Sequence, residues 1–284
     1  MSTTAQNSMI RRNCTNPCFM TFLAWSVFLL TGNLQAQTSP LIFNDPVQAT
    51  NGTYTGLGPY YSGTSMDFLN VGTVNGSAID MRVTASTPVG PYSFIGLMPN
   101  VSIGSTISGD LGFLHEATSA GFGGVDYTMT FYQGGGTFAH TEIVPQLHWI
   151  LNDLDGESVQ TETVTAFNAD GLQSYQIGSS TNHVSAVRSA SSVLFTGPGF
   201  NTNENDPTGA FVLTYADTSA VTLSFRSNTS ASSGFPNAVY TGLDGDLSSN
   251  PTLSGFGTPV AVPEPSGALL IALAGLSLLM RRRQ

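Results

Sequence analysis

Alternation of apolar and polar side chains is the dominant pattern in the central part of the chain. In VDYTMTFY, the apolar members Val125, Tyr127, Met129 and Phe131 fall at every second position. Because successive side chains of a strand point to opposite faces of a sheet, this segment predicts a strand with one buried face. The same period recurs in AIDMRVT, GAFVLTYA and AVTLSFR, and a further pair of strands is expected at LHWILND and SVQTETVTAF.

Turn-forming clusters such as YQGGGT and NADG separate these runs, and no part of the central region carries a sustained apolar stripe at helical spacing. Many short strands with glycine-rich turns predict an all-β fold, an antiparallel β-sandwich of jelly-roll type. We assign residues 37–247 to this body, residues 248–261 to a polar spacer and residues 262–284 to a separate tail.

The N-terminal residues 1–36 have the three parts of a secretory signal peptide. Arg11 and Arg12 precede a short apolar stretch at residues 22–30, and Ala36 is a small residue suited to a cleavage site. Both cysteines, Cys14 and Cys18, lie before the apolar stretch, so cleavage leaves a mature protein without disulfides. The alternative is a signal that is retained as a membrane anchor.

The C-terminal end reads VPEPSGALLIALAGLSLLMRRRQ. Pro263, Glu264 and Pro265 predict a stiff, extended strip, because each proline lacks an N–H and disfavours helix in the residue before it. Residues 266–280 carry no charge and predict a single hydrophobic helix of roughly 22 Å, short of the roughly 30 Å hydrocarbon core of a bilayer. Arg281, Arg282 and Arg283 would then lie on the cytoplasmic side and the body outside the cytoplasm.

This order of prolines, apolar run and terminal arginines resembles the PEP-CTERM sorting signal of Gram-negative and related bacteria. The resemblance covers the last 23 residues or so and is carried by Pro263, Glu264, Pro265, the apolar run and Arg281 to Arg283. It implies recognition by an exosortase, a cysteine-dependent membrane processing enzyme, and delivery to the cell surface or extracellular matrix. The alternative is an ordinary C-terminal anchor helix preceded by chance prolines.

The charge balance narrows the choice of partners. Lys and Arg together number 8, all of them arginine, against 18 Asp and Glu residues. Five of the arginines lie in the two ends, so the body is acidic and would repel nucleic acid. Such a surface suits divalent cations or neutral glycans, and acidity alone also keeps an exported protein soluble.

Two acidic turns could hold a hard cation such as Ca²⁺, which prefers several oxygen ligands. The candidate ligands are Asn152, Asp153, Asp155 and Glu157 in WILNDLDGESVQTE, and Asp244 and Asp246 in GLDGDLSSN. Neither turn has the spacing of an EF-hand loop. The competing interpretation is a solvated turn in which Asp and Asn bind their own backbone.

No catalytic signature is complete. HEATS begins like a zinc-protease motif, but Ser119 stands where the second histidine is needed, and there is no G-x-S-x-G elbow. Trp149 lies between apolar residues of the same parity and is expected in the core. We therefore expect a non-enzymatic exported surface or matrix protein, structural or adhesive, near extracellular polysaccharide. The alternative is a secreted glycan-active hydrolase with a sandwich fold.

Overall fold

The computed structural model describes residues 39–44, 46–47, 53–54, 61–62, 65–101, 109–157, 159–180, 183–200, 202, 206–230, 238–247 and 254–263. All of these belong to the unit Ala36–Gln284. The predicted signal peptide and the predicted hydrophobic helix at residues 266–280 lie outside the described residues. Within the described ranges, no helix is long and apolar enough to cross a membrane.

The described residues form two antiparallel sheets, whose strands are numbered in chain order. The first sheet contains, in spatial order, β1 (Pro46–Val47), β4 (Ser65–Val74), β5 (Ser77–Ala85), β8 (Gly121–Gln133), β16 (Ala220–Thr229), β11 (Gln160–Phe167), β14 (Ser192–Thr196) and β13 (Ser185–Arg188), with β10 (Gly156–Glu157) beside β11. The second contains β18 (Val260–Ala261), β12 (Leu172–Ile177), β15 (Phe211–Thr218), β9 (Val144–Asn152), β17 (Ala238–Asp244), β7 (Asp110–Ala117), β6 (Tyr92–Val101), β3 (Tyr61–Ser62) and β2 (Thr53–Tyr54). Short 3₁₀ turns lie at Asn168–Asp170 and at Pro207–Gly209.

Aromatic side chains from the two sheets pack against each other. Phe113 of the second sheet lies 4.6 Å from Tyr127 and 5.2 Å from Phe225 of the first sheet, measured between ring centroids. Phe195 of the first sheet stacks on Phe211 of the second at 4.1 Å. The faces that carry these rings therefore enclose one hydrophobic core, as in a β-sandwich. The sandwich is thus confirmed, whereas the jelly-roll connectivity stays a prediction.

The alternation in the sequence corresponds to the buried face of each sheet. Val125, Tyr127, Met129 and Phe131 of β8 are all fully buried in the core. Trp149 is also fully buried and lies 6.2 Å from Phe131, as its apolar neighbours indicate. Each large apolar side chain removed from water stabilises the fold by about 1.5–3 kcal/mol.

The segments LHWILND and SVQTETVTAF form strands as expected, but the two strands belong to different sheets. Strand β9 ends at Asn152, and Asp153 adopts a left-handed φ of 64° that takes the chain out of the second sheet. The chain enters the first sheet at β10 and β11. An isolated alternating run specifies a strand but carries no information about its partner, because pairing depends on residues far away in sequence.

The folded body extends past the predicted boundary at residue 247. Strand β18, within the segment assigned to a polar spacer, pairs with β12 at the edge of the second sheet. Val262, the first residue of the predicted tail, is 5% exposed and belongs to the main core. Residues 254–262 are called the C-terminal strap below.

Candidate functional site

The acidic turn after β9 folds inward rather than standing in solvent. Leu154 is fully buried, and its backbone N–H donates to the carbonyl of Gly209 at 2.8 Å. The next residue, Asp155, is also buried, with 9% of its surface exposed. Because β9 has already ended at Asn152, Asp153 and Asp155 do not share one face of a strand.

The carboxyl group of Asp155 is held by backbone donors. Its Oδ2 accepts a hydrogen bond from the N–H of Thr202 at 2.9 Å, and its Oδ1 accepts one from the N–H of Gly156. Hydrogen bonds from backbone amides satisfy a buried carboxyl and join the turn to the loop that contains Thr202. This is the local arrangement expected of a turn in which aspartate binds the backbone.

Glu162 on β11 is the second carboxyl group of this cluster, and the sequence analysis did not single it out. It is 3% exposed; its Oε1 accepts from Nε2 of Gln160 at 2.7 Å and its Oε2 accepts from the N–H of Asp155 at 3.3 Å. Burial, and after it the negative charge of Asp155, raises the pKa of Glu162 to about 8. The group therefore carries a proton at neutral pH.

A signal for Glu162 is present in the sequence. Gln160 and Glu162 have the same parity as the core residues Val164 and Ala166 of β11, so the period of two places both polar side chains on the inner face. A polar residue at a core position of an alternating strand is the mark of a buried polar cluster.

Further polar side chains lie between the sheets at this end of the sandwich. Ser227 of β16 is the antiparallel partner of Glu162 and is 1% exposed. His115 of β7 is fully buried, and its ring centroid lies 5.5 Å from that of Tyr92. Among the described residues neither ring nitrogen of His115 has a hydrogen-bond partner. Burial, and after it the charge of Arg226, lowers the pKa of His115 to about 3, so the ring is neutral.

The other predicted calcium ligands are divided between the two sheets: Asn152 and Asp244 lie on the second sheet, Asp246 follows it, and the backbone of Glu157 lies in β10 of the first sheet. Asn152 of β9 is opposite Gly242, and Asp244 of β17 is opposite Ile150, so both lie on neighbouring strands. Oδ1 of Asp244 accepts from the N–H of Asp246 at 2.7 Å. The side chain of Glu157 lies outside the described residues.

The described ranges contain no group of three or more His, Cys, Asp or Glu side chains placed to hold a metal ion. N–H groups donate to the carboxyl groups of both Asp155 and Glu162, and such donors stabilise a buried carboxyl group. Calcium binding by the two acidic turns stays a prediction.

The predicted sorting motif begins where the described fold ends. Pro263 is exposed and directly follows Val262, which lies in the core. Glu264, Pro265 and the arginines Arg281, Arg282 and Arg283 lie outside the described residues. Pro263, the first residue of the predicted motif, therefore follows a buried residue of the sandwich directly.

Comparison with known proteins gives little similarity. No family model matches the chain, and no curated protein matches it. Among solved structures, the N-terminal domain of the Streptococcus gordonii adhesin Sgo0707 is similar, with 13% sequence identity and a TM-score of 0.42. The match covers 76% of this chain and 57% of that chain. Similarity at this level does not define a common fold or a common role.

Proposed function

We propose that this protein is an exported structural or adhesive component of the cell surface or extracellular matrix, delivered by a C-terminal sorting signal of PEP-CTERM type. Its body would be a jelly-roll-like sandwich, and its partners would be an exosortase-type processing enzyme and extracellular polysaccharide. The observation that carries the proposal is the tail itself: Pro263, Glu264 and Pro265, then an uncharged run, then Arg281 to Arg283.

The two ends of the chain support the same topology. The N-terminal arginines and short apolar stretch direct export, and the C-terminal arginines favour a tail whose end stays in the cytoplasm. A membrane enzyme would then meet the proline strip at the outer surface of the membrane. The all-β body agrees with this placement, because it holds together through a large core without needing cysteine.

The alternative of a glycan-active hydrolase finds no support in the carboxyl groups that the structure brings together. Retaining and inverting glycosidases need two carboxyl groups that flank a bound sugar. Asp155 and Glu162 are neighbours but are 9% and 3% exposed, so a glycan cannot contact them in this conformation. The Asp155 and Glu162 pair therefore gives no support to a glycan-active hydrolase.

The test is a reporter that is exported by its own signal and carries only residues 262–284 at its C-terminus. It is produced in an exosortase-bearing host with the native tail, with Pro263→Ala and Pro265→Ala together, or with Leu270→Ala as a matched control in the apolar run. Mass spectrometry of the surface fraction measures removal of the tail. We expect removal with the native tail and the control, and retention with both prolines replaced. Equal processing of all three, or no export to the envelope, would refute the proposal.

A further inference from the structure

The C-terminal strap runs antiparallel to β12 and the residues after it along the edge of the second sheet. The N–H of Gly257 donates to the carbonyl of Ile177 at 2.9 Å, and the N–H of Val262 donates to the carbonyl of Gln173 at 2.7 Å. Between them Val260 is paired with Tyr175. The strap therefore lies along the edge of the second sheet, with a short strand at Val260–Ala261 and further backbone hydrogen bonds on both sides of it.

Side-chain contacts, in addition to the backbone hydrogen bonds, attach the strap to the sandwich. Val262 is 5% exposed and belongs to the main core, and Phe256 packs on a separate apolar cluster that includes Ile150 and Val212. Nη1 of Arg188, on the edge strand of the other sheet, donates to the carbonyl of Ala261 at 2.8 Å. This bond links the edge strands of the two sheets across one side of the sandwich.

Arg188 differs in this respect from the other two arginines of the body. Arg82 and Arg226 form ion pairs with Asp67 and Asp126 on the first sheet, each at 2.6 Å. Arg188 instead binds a strap carbonyl that lies two residues before Pro263. The guanidinium group of Arg188 thus helps to attach the strap to the sandwich.

The strap has a consequence for processing, because an enzyme that binds an extended peptide through its backbone needs those backbone groups to be free. Residues on the N-terminal side of Pro263 have those groups already bonded to β12, and Val262 has its side chain in the core. An enzyme that recognises Pro263 to Pro265 can therefore contact only one side of its motif while the strap is bound.

We propose that the C-terminal strap gates processing: it must peel from β12 before the sorting motif can be bound and cut. This inference rests on the proposed function. The rate of processing then depends on the fraction of molecules with the strap detached, a local opening at the end of a chain rather than global unfolding. Folding of the body and removal of the tail are coupled through the same nine residues.

A disulfide across the strap provides the direct test. Ser174 and Ala261 are antiparallel partners, and the bond from Val262 to Gln173 makes the next pair along a hydrogen-bonded one. Ser174 and Ala261 therefore form a non-hydrogen-bonded pair, whose Cα atoms lie about 4.5 Å apart and within disulfide range. The double variant Ser174→Cys with Ala261→Cys locks the strap when oxidised and releases it when reduced.

The assay uses the full chain in membranes that contain the processing enzyme, and mass spectrometry follows loss of the tail with time. We expect the oxidised double variant to be processed at least about tenfold more slowly than the same protein after reduction. The native chain with and without reductant controls for effects on the enzyme. Because one protein is compared in two states, a failure to fold cannot imitate the result.

A second variant acts in the opposite direction. Val262→Ala removes two buried methyl groups from the strap and should raise the detached fraction, and with it the processing rate, by about tenfold. Val83→Ala removes the same groups from a fully buried position on β5 and is the matched control, which should leave the rate unchanged.

The outcomes separate this inference from the proposed function. Slow processing of the oxidised variant with recovery on reduction supports gating by the strap. Equal rates in both states, while Pro263→Ala with Pro265→Ala still blocks removal of the tail, would overturn the gate and leave the sorting signal intact. Absence of processing in the native chain would overturn both.

Discussion

Replacing Glu162 by glutamine should remove most of the loss of stability that the protein undergoes in alkali. The pKa of this carboxyl group rises from 4.5 to about 8 on folding, because burial and the charge of Asp155 both oppose ionisation. A raised pKa means that the stabilising contribution is complete below pH 4.5 and is lost as the pH rises through 8. The difference between the unfolded-state and folded-state pKa values corresponds to at most about 5 kcal/mol of unfolding free energy.

His115 should make the stability of the protein depend on pH in the acidic range. Its pKa falls from 6.5 to about 3 on folding, so its contribution is present above pH 6.5 and is lost as the pH decreases towards 3. Between pH 4.5 and 6.5 the two groups change the free energy of unfolding in opposite directions as the pH rises. The free energy of unfolding should therefore be greatest in this range. Above pH 6.5 only the slope of Glu162 remains from this pair.

The measurement is urea unfolding of the purified protein at pH 5.5 and pH 9, followed by the fluorescence of the buried Trp149. We expect the free energy of unfolding to fall by about 2 kcal/mol between these pH values in the native protein, because the contribution that Glu162 loses is partly offset by the one that His115 gains between pH 5.5 and 6.5. Glu162→Gln has no proton to release and should show less than half of that decrease. Glutamine also fits the contacts, because Oε1 of Gln160 has no partner among the described residues and can face the new amide if its own amide turns over.

Glu116→Gln makes the same chemical substitution at a half-buried position on β7 and serves as the control. If Glu162→Gln and the native protein lose the same free energy between pH 5.5 and 9, Glu162 is ionised in the folded state at neutral pH. The description of a protonated, hydrogen-bonded carboxyl group would then be wrong.

Two further predictions concern the packing of the sandwich, and both are measured by urea unfolding. Gly124→Ala should lower the free energy of unfolding by roughly 3 kcal/mol, because φ is +150° and the added Cβ would lie 2.1 Å from the carbonyl oxygen of Phe225. Gly76→Ala, at φ +81° with open space around it, should lower it by about 1 kcal/mol. Equal losses for the two variants would contradict the steric argument. Trp149→Ala should cost about 3–5 kcal/mol, since the indole is fully buried between Phe131 and Tyr215. A loss below about 1 kcal/mol would mean that this part of the core is not packed as described.

Much of the body could be predicted from the period of its apolar residues. Val125 and Phe131 mark the buried face of β8, and Trp149 lies in the core where its neighbours place it. Such a pattern is local, since each strand shows its own buried face before its partner is known. The two sheets follow from the number of such strands, because each must cover its apolar face with another.

The sequence analysis did not predict the strap, and the reason is physical. Strand β18 has two residues and lies between Pro259 and Pro263, and so short an alternation carries no signal of its own. Val262 is buried only because β12 and the core are in place to receive it. Strands of this length owe their stability to the partner strand rather than to local propensity.

The sequence by itself determined the strands, their buried faces, the acidic character of the body and the form of the tail, since each depends on neighbours along the chain. Only the tertiary structure decided that Asp155 meets Glu162 and that the strap closes against β12. The first depends on the crossing of the chain from one sheet to the other, and the second on the pairing of two segments far apart in sequence. A raised pKa and a buried strand edge are properties of surroundings, and surroundings are created by packing in three dimensions.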